Sequence, residues 1–241
     1  MYRWWWGVLL SLWALAASAE QLNVGFGSNK PPYVFEGEPR GLEYELVGRA
    51  AQNAGFEVVA YYMPMERLHL MLRRGEIDAI TTTNQNSGVS AYYSDVYIYY
   101  RNFAVALAER AYRIDTIADL GRHSISTFQR ARQLMGPEFE RMASSNPQYR
   151  EEAQQINRNR LLYSGRVDVV VGDERIIRYF NKLVADQVDV TQPLTWYELF
   201  PPTPYRVGFR LDSQRLRFNA GLHQLRESGE YERIIQRYLS D

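Results

Sequence analysis

The chain has 241 residues, 28 basic and 28 acidic side chains, no cysteine and 46% hydrophobic composition. That length builds one large domain or two ordinary ones around a core of useful size. Zero net charge argues against a nucleic-acid binder, whose basic footprint shows in the total. The absence of cysteine excludes disulfides, thiolate metal clusters and a cysteine nucleophile. His69, His123 and His223 stand far apart, so neither a metal site nor any other cofactor is expected. Among the basic residues only Lys30 and Lys182 are lysine; the rest are arginine, a bias to which no function attaches by itself.

The chain opens on an address. Arg3 precedes an apolar run from Trp4 to Ala17, and Ala17-Ser18-Ala19 has the small-residue pattern of a cleavage site. This is the layout of a secretory signal peptide, residues 1–19, cut before Glu20. The run falls short of the roughly 20 residues that span a bilayer, so cleavage is favoured over a membrane anchor. Cleavage takes 19 of the 241 residues and one of the 28 basic ones, and leaves 222 with a net charge of −1. No later stretch is long and apolar enough to cross a membrane.

In the mature chain, Leu22–Phe26 reads as a strand and leads into a loop rich in Gly, Ser, Asn and Pro. From Gly41 a helix follows, with Leu42, Leu46, Ala50 and Ala54 on one face and Gly55 closing it. Phe56–Tyr61 is a strand, Met65–Arg74 a helix ended by Gly75, and Ile77–Thr81 a third strand. This alternation predicts a parallel sheet covered by helices. A second set begins with the strands Phe103–Ala108 and His123–Phe128, with a helix starting at Gln129–Leu134. Arg141–Arg160 is polar and reads as a surface helix. Val167–Val171 is apolar enough for a strand covered on both faces, and a helix follows over 174–184. Pro201-Pro202-Thr203-Pro204 marks a stiff extended crossing. Two helices close the chain, at about Ser213–Arg226 and Tyr231–Leu239, separated by Ser228-Gly229.

Four motifs lie in register along this frame. They are LNVGFGSNKPPYVFEGEPRGLEYELVGRAA from Leu22, with Gly41, Leu42, Glu43, Glu45 and Leu46; Leu72-Arg73-Arg74-Gly75-Glu76-Ile77-Asp78-Ala79; Gly165 to Asp173; and Leu225, Gly229, Glu230, Tyr231, Ile234 and Tyr238 near the end. Together they resemble the periplasmic solute-binding proteins of family 3, known as amino-acid receptors of ABC importers. The resemblance implies an α/β fold of two lobes, the type II periplasmic binding protein fold, in which each lobe is a mainly parallel sheet flanked by helices. The chain would cross twice between lobe 1, at 20–104 plus 204–241, and lobe 2, at 105–203. It also implies a periplasmic location, a single-chain receptor, and a ligand held between the lobes.

Polar groups at the carboxyl ends of parallel strands face the crevice where such sheets bind ligands. In lobe 1 these are Asn29, Tyr33, Thr82, Thr83, Asn84 and Gln85; in lobe 2 they are Thr127, Phe128, Gln129, Arg130 and Asp173. The resemblance places Asp173 where the amino-acid receptors accept a ligand ammonium; Asp173 also suits the cap of the 174–184 helix, and the two roles are compatible. Tyr33 would be an apolar wall or a packing residue. Met65 favours packing, and Arg67 either reaches the cleft or faces solvent. For the run Tyr92, Tyr93, Tyr97, Tyr99 and Tyr100, packing is favoured over an aromatic docking surface.

Two departures from the family bear on the ligand. Phe128-Gln129 replaces a small turn and would shrink or reshape the pocket. No arginine lies between Asp78 and Arg101, where the receptors carry one that clamps the ligand carboxylate. A charge-assisted bond of that kind contributes about 1.5–3 kcal/mol, so its loss points to a cationic or neutral polar ligand unless Arg67 or Arg130 substitutes.

The expected function is binding of a small polar solute, an amino acid, amine or related compound, in the interlobe cleft. The implied partner is an ABC permease or a membrane sensor, with no nucleic acid involved. The alternative is an enzyme on the same scaffold, resembling the cyclohexadienyl dehydratases, with Glu66 or Glu174 as the acid. A ligand-binding part of a murein-cleaving enzyme is a further possibility, although with the last helix at the end of the chain no catalytic domain is expected.

Overall fold

In a computed structural model, residues 19–239 are described; the remainder of the expected signal peptide lies outside them. The first sheet gathers β1 (Glu20–Gly27), β2 (Phe56–Met63), β3 (Ala79–Thr83), β4 (Tyr92–Tyr93) and β5 (Ile98–Tyr100), with α1 (Leu42–Asn53) and α2 (Met65–Arg74) between its parallel strands. The second carries β6 (Asn102–Leu107), β7 (Ile125–Phe128), α3 (Ala131–Leu134), α4 (Pro137–Ser145), β8 (Tyr149–Glu152), α5 (Ile156–Tyr163), β9 (Val169–Asp173), α6 (Glu174–Leu183) and β10 (Leu194–Tyr197). The chain then returns through β11 (Thr203–Phe209) to the first sheet and ends with α7 (Asp212–Glu227) and α8 (Glu230–Leu239).

The first sheet has the order β2-β1-β3-β11-β4, with β5 also on β11; the second has the order β10-β6-β9-β7-β8. β1 pairs in parallel with β2 and β3, and β7 with β8 and β9, while the returning strands β11 and β6 run antiparallel. The parallel strands of both sheets therefore point their carboxyl ends towards each other. The passages between sheets run through Arg101 and through residues 198–202.

Two glycines explain how loops are held there. A side chain at Gly41, whose φ is 123°, would stand 2.3 Å from the Tyr33 carbonyl oxygen. With glycine in place, the first amides of α1 reach the Pro-Pro loop: Leu42 N–H donates to Pro32 O at 3.0 Å and Glu43 N–H to Tyr33 O at 2.9 Å. Tyr33 and Glu43 are thereby fixed to one another. In lobe 2 a side chain at Gly172 would stand 2.2 Å from Nη1 of Arg158, which donates to the Val171 carbonyl of β9.

The region 141–160 differs from the single surface helix expected. It contains the end of α4, the edge strand β8 and the start of α5. The polar spelling misleads because β8 (YREE) is only half-buried, and because Arg158 and Asn159 of α5 are buried. Arg158 donates to Val171 O at 2.8 Å, and Asn159 to Ile177 O at 2.8 Å. Bonded in this way, Arg158 faces the core without an unpaired donor, whereas Asn159 satisfies its Nδ2 and keeps its Oδ1 without a partner among the described residues.

The lobes are closed on each other. Leu134, Ile176 and Phe180 of lobe 2 join the apolar cluster of lobe 1, and Phe35 meets Tyr179 edge-on across the gap at 6.0 Å. Of the tyrosine run, Tyr97 and Tyr100 are buried, whereas Tyr92 and Tyr99 are half exposed or more.

Candidate ligand site between the lobes

Between the two sheets lies a cavity of about 40 Å³. Its lobe 1 side is formed at the ends of β1 and β3 by Gly27, Ser28, Lys30 and Thr82, with Met65 and Tyr100. Its lobe 2 side is formed at the ends of β7, β8 and β9 by Phe128, Gln129, Glu152 and Asp173. Met65, expected to pack, packs and also lines the cavity.

The floor in lobe 1 is a buried ion pair. Lys30 Nζ lies 3.1 Å from Glu43 Oε1 and 3.3 Å from Oε2, and also donates to Thr82 Oγ1. Glu43 accepts further bonds from Thr81 (2.6 Å), Thr82 (2.7 Å) and Tyr100 (2.8 Å). Burial by itself would raise the Glu43 carboxyl, but Lys30 and the three hydroxyls outweigh it and hold the group below its usual range. Burial draws the Lys30 ammonium below its usual value against the pull of Glu43. The Tyr100 ring stacks at 4.0 Å on Tyr33, which joins this floor to the Pro-Pro loop.

On the lobe 2 side stands Asp173. Its Oδ1 accepts the N–H groups of Arg175 (3.0 Å) and Ile176 (3.4 Å), so it does cap α6. Its Oδ2 accepts the Tyr33 hydroxyl of lobe 1 at 3.1 Å and the Arg101 N–H of the crossing at 3.0 Å. Burial pushes the carboxyl up to about 6, against the opposing effect of the Tyr33 hydroxyl and the backbone donors.

The other singled-out residues are dispersed. Phe128 and Gln129 line the cavity with Asp173. Tyr33 stands behind Asp173, in an outer groove shared with Arg101 and Arg175. Asn84 caps the turn Gln85–Ser87 and donates across the lobes to Leu134 O at 3.3 Å. Thr83 is buried beside it, while Asn29 and Gln85 are exposed. Arg130 lies on the rim, where Nη1 meets Glu66 at 2.9 Å and Nη2 bonds the Ser87 carbonyl. Arg67 lies in a surface groove along α2 with Arg73 and Arg74, away from the cavity.

Sequence reasoning missed Lys30, Glu43 as its counter-ion, and Asn102, which also lines the cavity. One signal was available: a lysine is rare in this arginine-rich chain. A compact ammonium fits where Gly27 leaves little room, since a side chain at Gly27 would stand 3.1 Å from Lys30 Cε.

Residues 22–241 match the bacterial extracellular solute-binding proteins, family 3. The chain belongs to that family. It is 23% identical over 244 residues to the membrane-bound lytic murein transglycosylase F of Desulfosudis oleivorans, a match covering 95% of this chain and 50% of the relative. The chain thus spans about half the length of the curated relative it matches. Among solved structures it is similar to the arginine-, lysine-, histidine-binding protein ArtJ from Geobacillus stearothermophilus, with a TM-score of 0.74 at 18% identity over 92% of this chain and 96% of the other. It is equally similar to a histidine kinase sensor domain, with a TM-score of 0.75 at 18% identity over 92% and 97% of the two chains. These likenesses bear out the two-lobed type II periplasmic binding protein fold. The family consists of solute-binding proteins, and its description places them outside the cytoplasm.

Proposed function

We propose that this chain is a periplasmic receptor that closes its two lobes on a small polar solute, delivered to an ABC permease or reported to a membrane sensor. One observation carries this reading. The cavity sits at the facing carboxyl ends of the parallel strands of both sheets, and the lobes around it are joined by bonds that exist only when they meet: Tyr33 to Asp173 and Arg130 to Glu66 and Ser87. Such a cleft binds by shifting the open–closed population. Phe128, Gln129 and Asp173 from lobe 2 and Lys30 and Thr82 from lobe 1 are the proposed walls.

The enzyme reading has less support. Glu66 is paired with Arg130 and Glu174 with Arg178 at 2.9 Å, and neither lines the cavity. The test is native mass spectrometry of protein from its own periplasm, followed by thermal shift with amino acids, amines and neutral polar compounds. A solute that binds only the folded state raises the melting point. Protein carrying no solute, with no shift from any class, would overturn the reading.

A further inference from the structure

A groove on the outside of the lobe interface shares no lining residue with the inner cavity. Its lobe 1 side is formed by Phe35 and Arg40, from the loop before α1, and by Tyr238 of α8. Its lobe 2 side is the face of α6 that carries Arg175, Arg178, Tyr179 and Lys182. The groove has a volume of about 690 Å³, and through Glu174 and Arg175 it runs on into the space of about 460 Å³ beside Arg101. Ligand-sized clefts have volumes of about 300–1,000 Å³. Both lobes supply walls, so the groove exists only while they are closed.

The groove is basic in a chain whose charges balance. Arg40, Arg175, Arg178 and Lys182 line it against one carboxylate, Glu174. Arg178 is paired with Glu174 at 2.9 Å and Arg40 with Glu38 at 2.5 Å. Glu45, which meets the Tyr238 hydroxyl, is paired with Arg237. Arg175 and Lys182 form no ion pair or side-chain hydrogen bond among the described residues, and Arg175 acts on the buried Asp173 only through space. They stand seven positions apart in α6, from 175 to 182, so they share one face of the helix about 10 Å apart along its axis. Between the cations of the two lobes, Phe35 and Tyr179 meet edge-on at 6.0 Å. Aromatic side chains beside arginines are the composition of a protein-binding surface.

We propose that this groove docks an acidic segment of a partner protein. Carboxylates of the segment meet Arg175 and Lys182 on the lobe 2 side and Arg40 on the lobe 1 side, and its apolar or aromatic residues lie against Phe35 and Tyr179. The cations line a concave channel, which admits a peptide and not the flat face of a bilayer. Because the two sides come together on closure, the segment binds the closed form better and in turn favours closure. This rests on the two-lobed receptor reading above and adds the face and the charge by which a partner reads the closed state, whatever the solute.

The test is fluorescence anisotropy at low salt, with the purified protein and a short labelled peptide of Glu-Ser-Tyr repeats. Its controls are the same peptide with Gln for Glu, and vesicles containing phosphatidylglycerol. The acidic peptide binds, and its Gln counterpart binds at least about tenfold more weakly. Lys182→Glu weakens the acidic peptide roughly fivefold, and so does Arg40→Glu from the other lobe. Arg122→Glu, an equal charge change on an exposed arginine outside the groove, leaves binding unchanged. Lys182 is exposed and unpaired, so its substitution spares the fold, as a melting curve checks; should Arg40→Glu fail to fold, Arg40→Gln takes its place. The peptide also lowers the open fraction, read as the distance between fluorophores on the two lobes. The proposal is overturned if the two peptides bind alike, if the substitution in either lobe is without effect, or if the vesicles bind the protein and the acidic peptide does not. It is equally overturned if the peptide binds and the open fraction stays the same. Solute binding and the receptor reading stand in each of those cases; only a protein that also binds no solute brings down both.

Discussion

The two walls of the cleft hold similar groups in opposite ways. In lobe 1, every partner of Glu43 comes from lobe 1 itself: Lys30, Thr81, Thr82 and Tyr100. In lobe 2, Asp173 shares its acceptor positions between its own helix, the crossing at Arg101 and Tyr33 of the other lobe. The first wall is therefore complete before the lobes meet. The second changes its surroundings when they do. A charge whose neighbours are all local is held at one value, whereas a charge whose neighbours arrive on closure carries information about closure.

The largest expected effect tests whether the lobe 1 wall is held by its charges. Lys30→Met would leave the buried Glu43 carboxylate without a counter-ion, at a cost of about 3–5 kcal/mol in folding stability. Lys30→Met/Glu43→Gln removes both charges and keeps the shapes, and is expected to recover most of that loss. Urea unfolding of the two variants measures both numbers. A single variant that loses less than about 1 kcal/mol would mean that the floor is ordinary packing, and the contrast between the walls would vanish.

The second prediction follows from the Asp173 carboxyl, pushed up to about 6 by burial from an ordinary 3.8. A carboxyl raised on folding binds its proton more tightly in the folded state. Its contribution to stability is fully present below about pH 4, and is lost as pH rises through about 6. The difference across that window is about 3 kcal/mol. Melting temperatures from pH 4 to 7 are expected to fall more steeply for the unaltered protein than for Asp173→Asn. Parallel curves would show that Asp173 does not titrate there.

How much of this was legible in the sequence depended on whether the signal was local. β1, α1, β2 and α2 follow from apolar spacing and from Gly55 and Gly75, because a helix or a buried strand repeats its own pattern. Asp173 stood out because it directly follows an apolar strand and precedes a helix, and its capping bonds span two and three residues. Asn102 had no such neighbourhood: its partner Thr203 is 101 residues away, so only the fold brings them together. β8 was hidden because a half-buried edge strand need not alternate cleanly. β11 was hidden by its Pro204, which is exposed and pairs at the strand's start with Tyr99 of β5. Lys30 was visible only as an oddity of composition, since its counter-ion lies on the helix beyond the loop.

The smallest effect separates the rim of the cleft from its interior. Arg130 reaches from lobe 2 to Glu66 at 2.9 and 3.1 Å, and also bonds the Ser87 carbonyl. Arg130 is 13% exposed but Glu66 is 57% exposed, so water and salt screen the pair and it contributes no more than about 1 kcal/mol to closure. Glu66→Gln removes the charge and leaves the bond to Ser87 intact. The open fraction, read as the distance between fluorophores on the two lobes, is expected to rise slightly at low salt. As ionic strength increases and the Debye length shortens, variant and parent should converge. The Tyr33–Asp173 contact lies in the interior and should show no such convergence. A large, salt-insensitive effect of Glu66→Gln would place the grip on closure at the rim, and Asp173 would then be a helix cap that happens to face the other lobe.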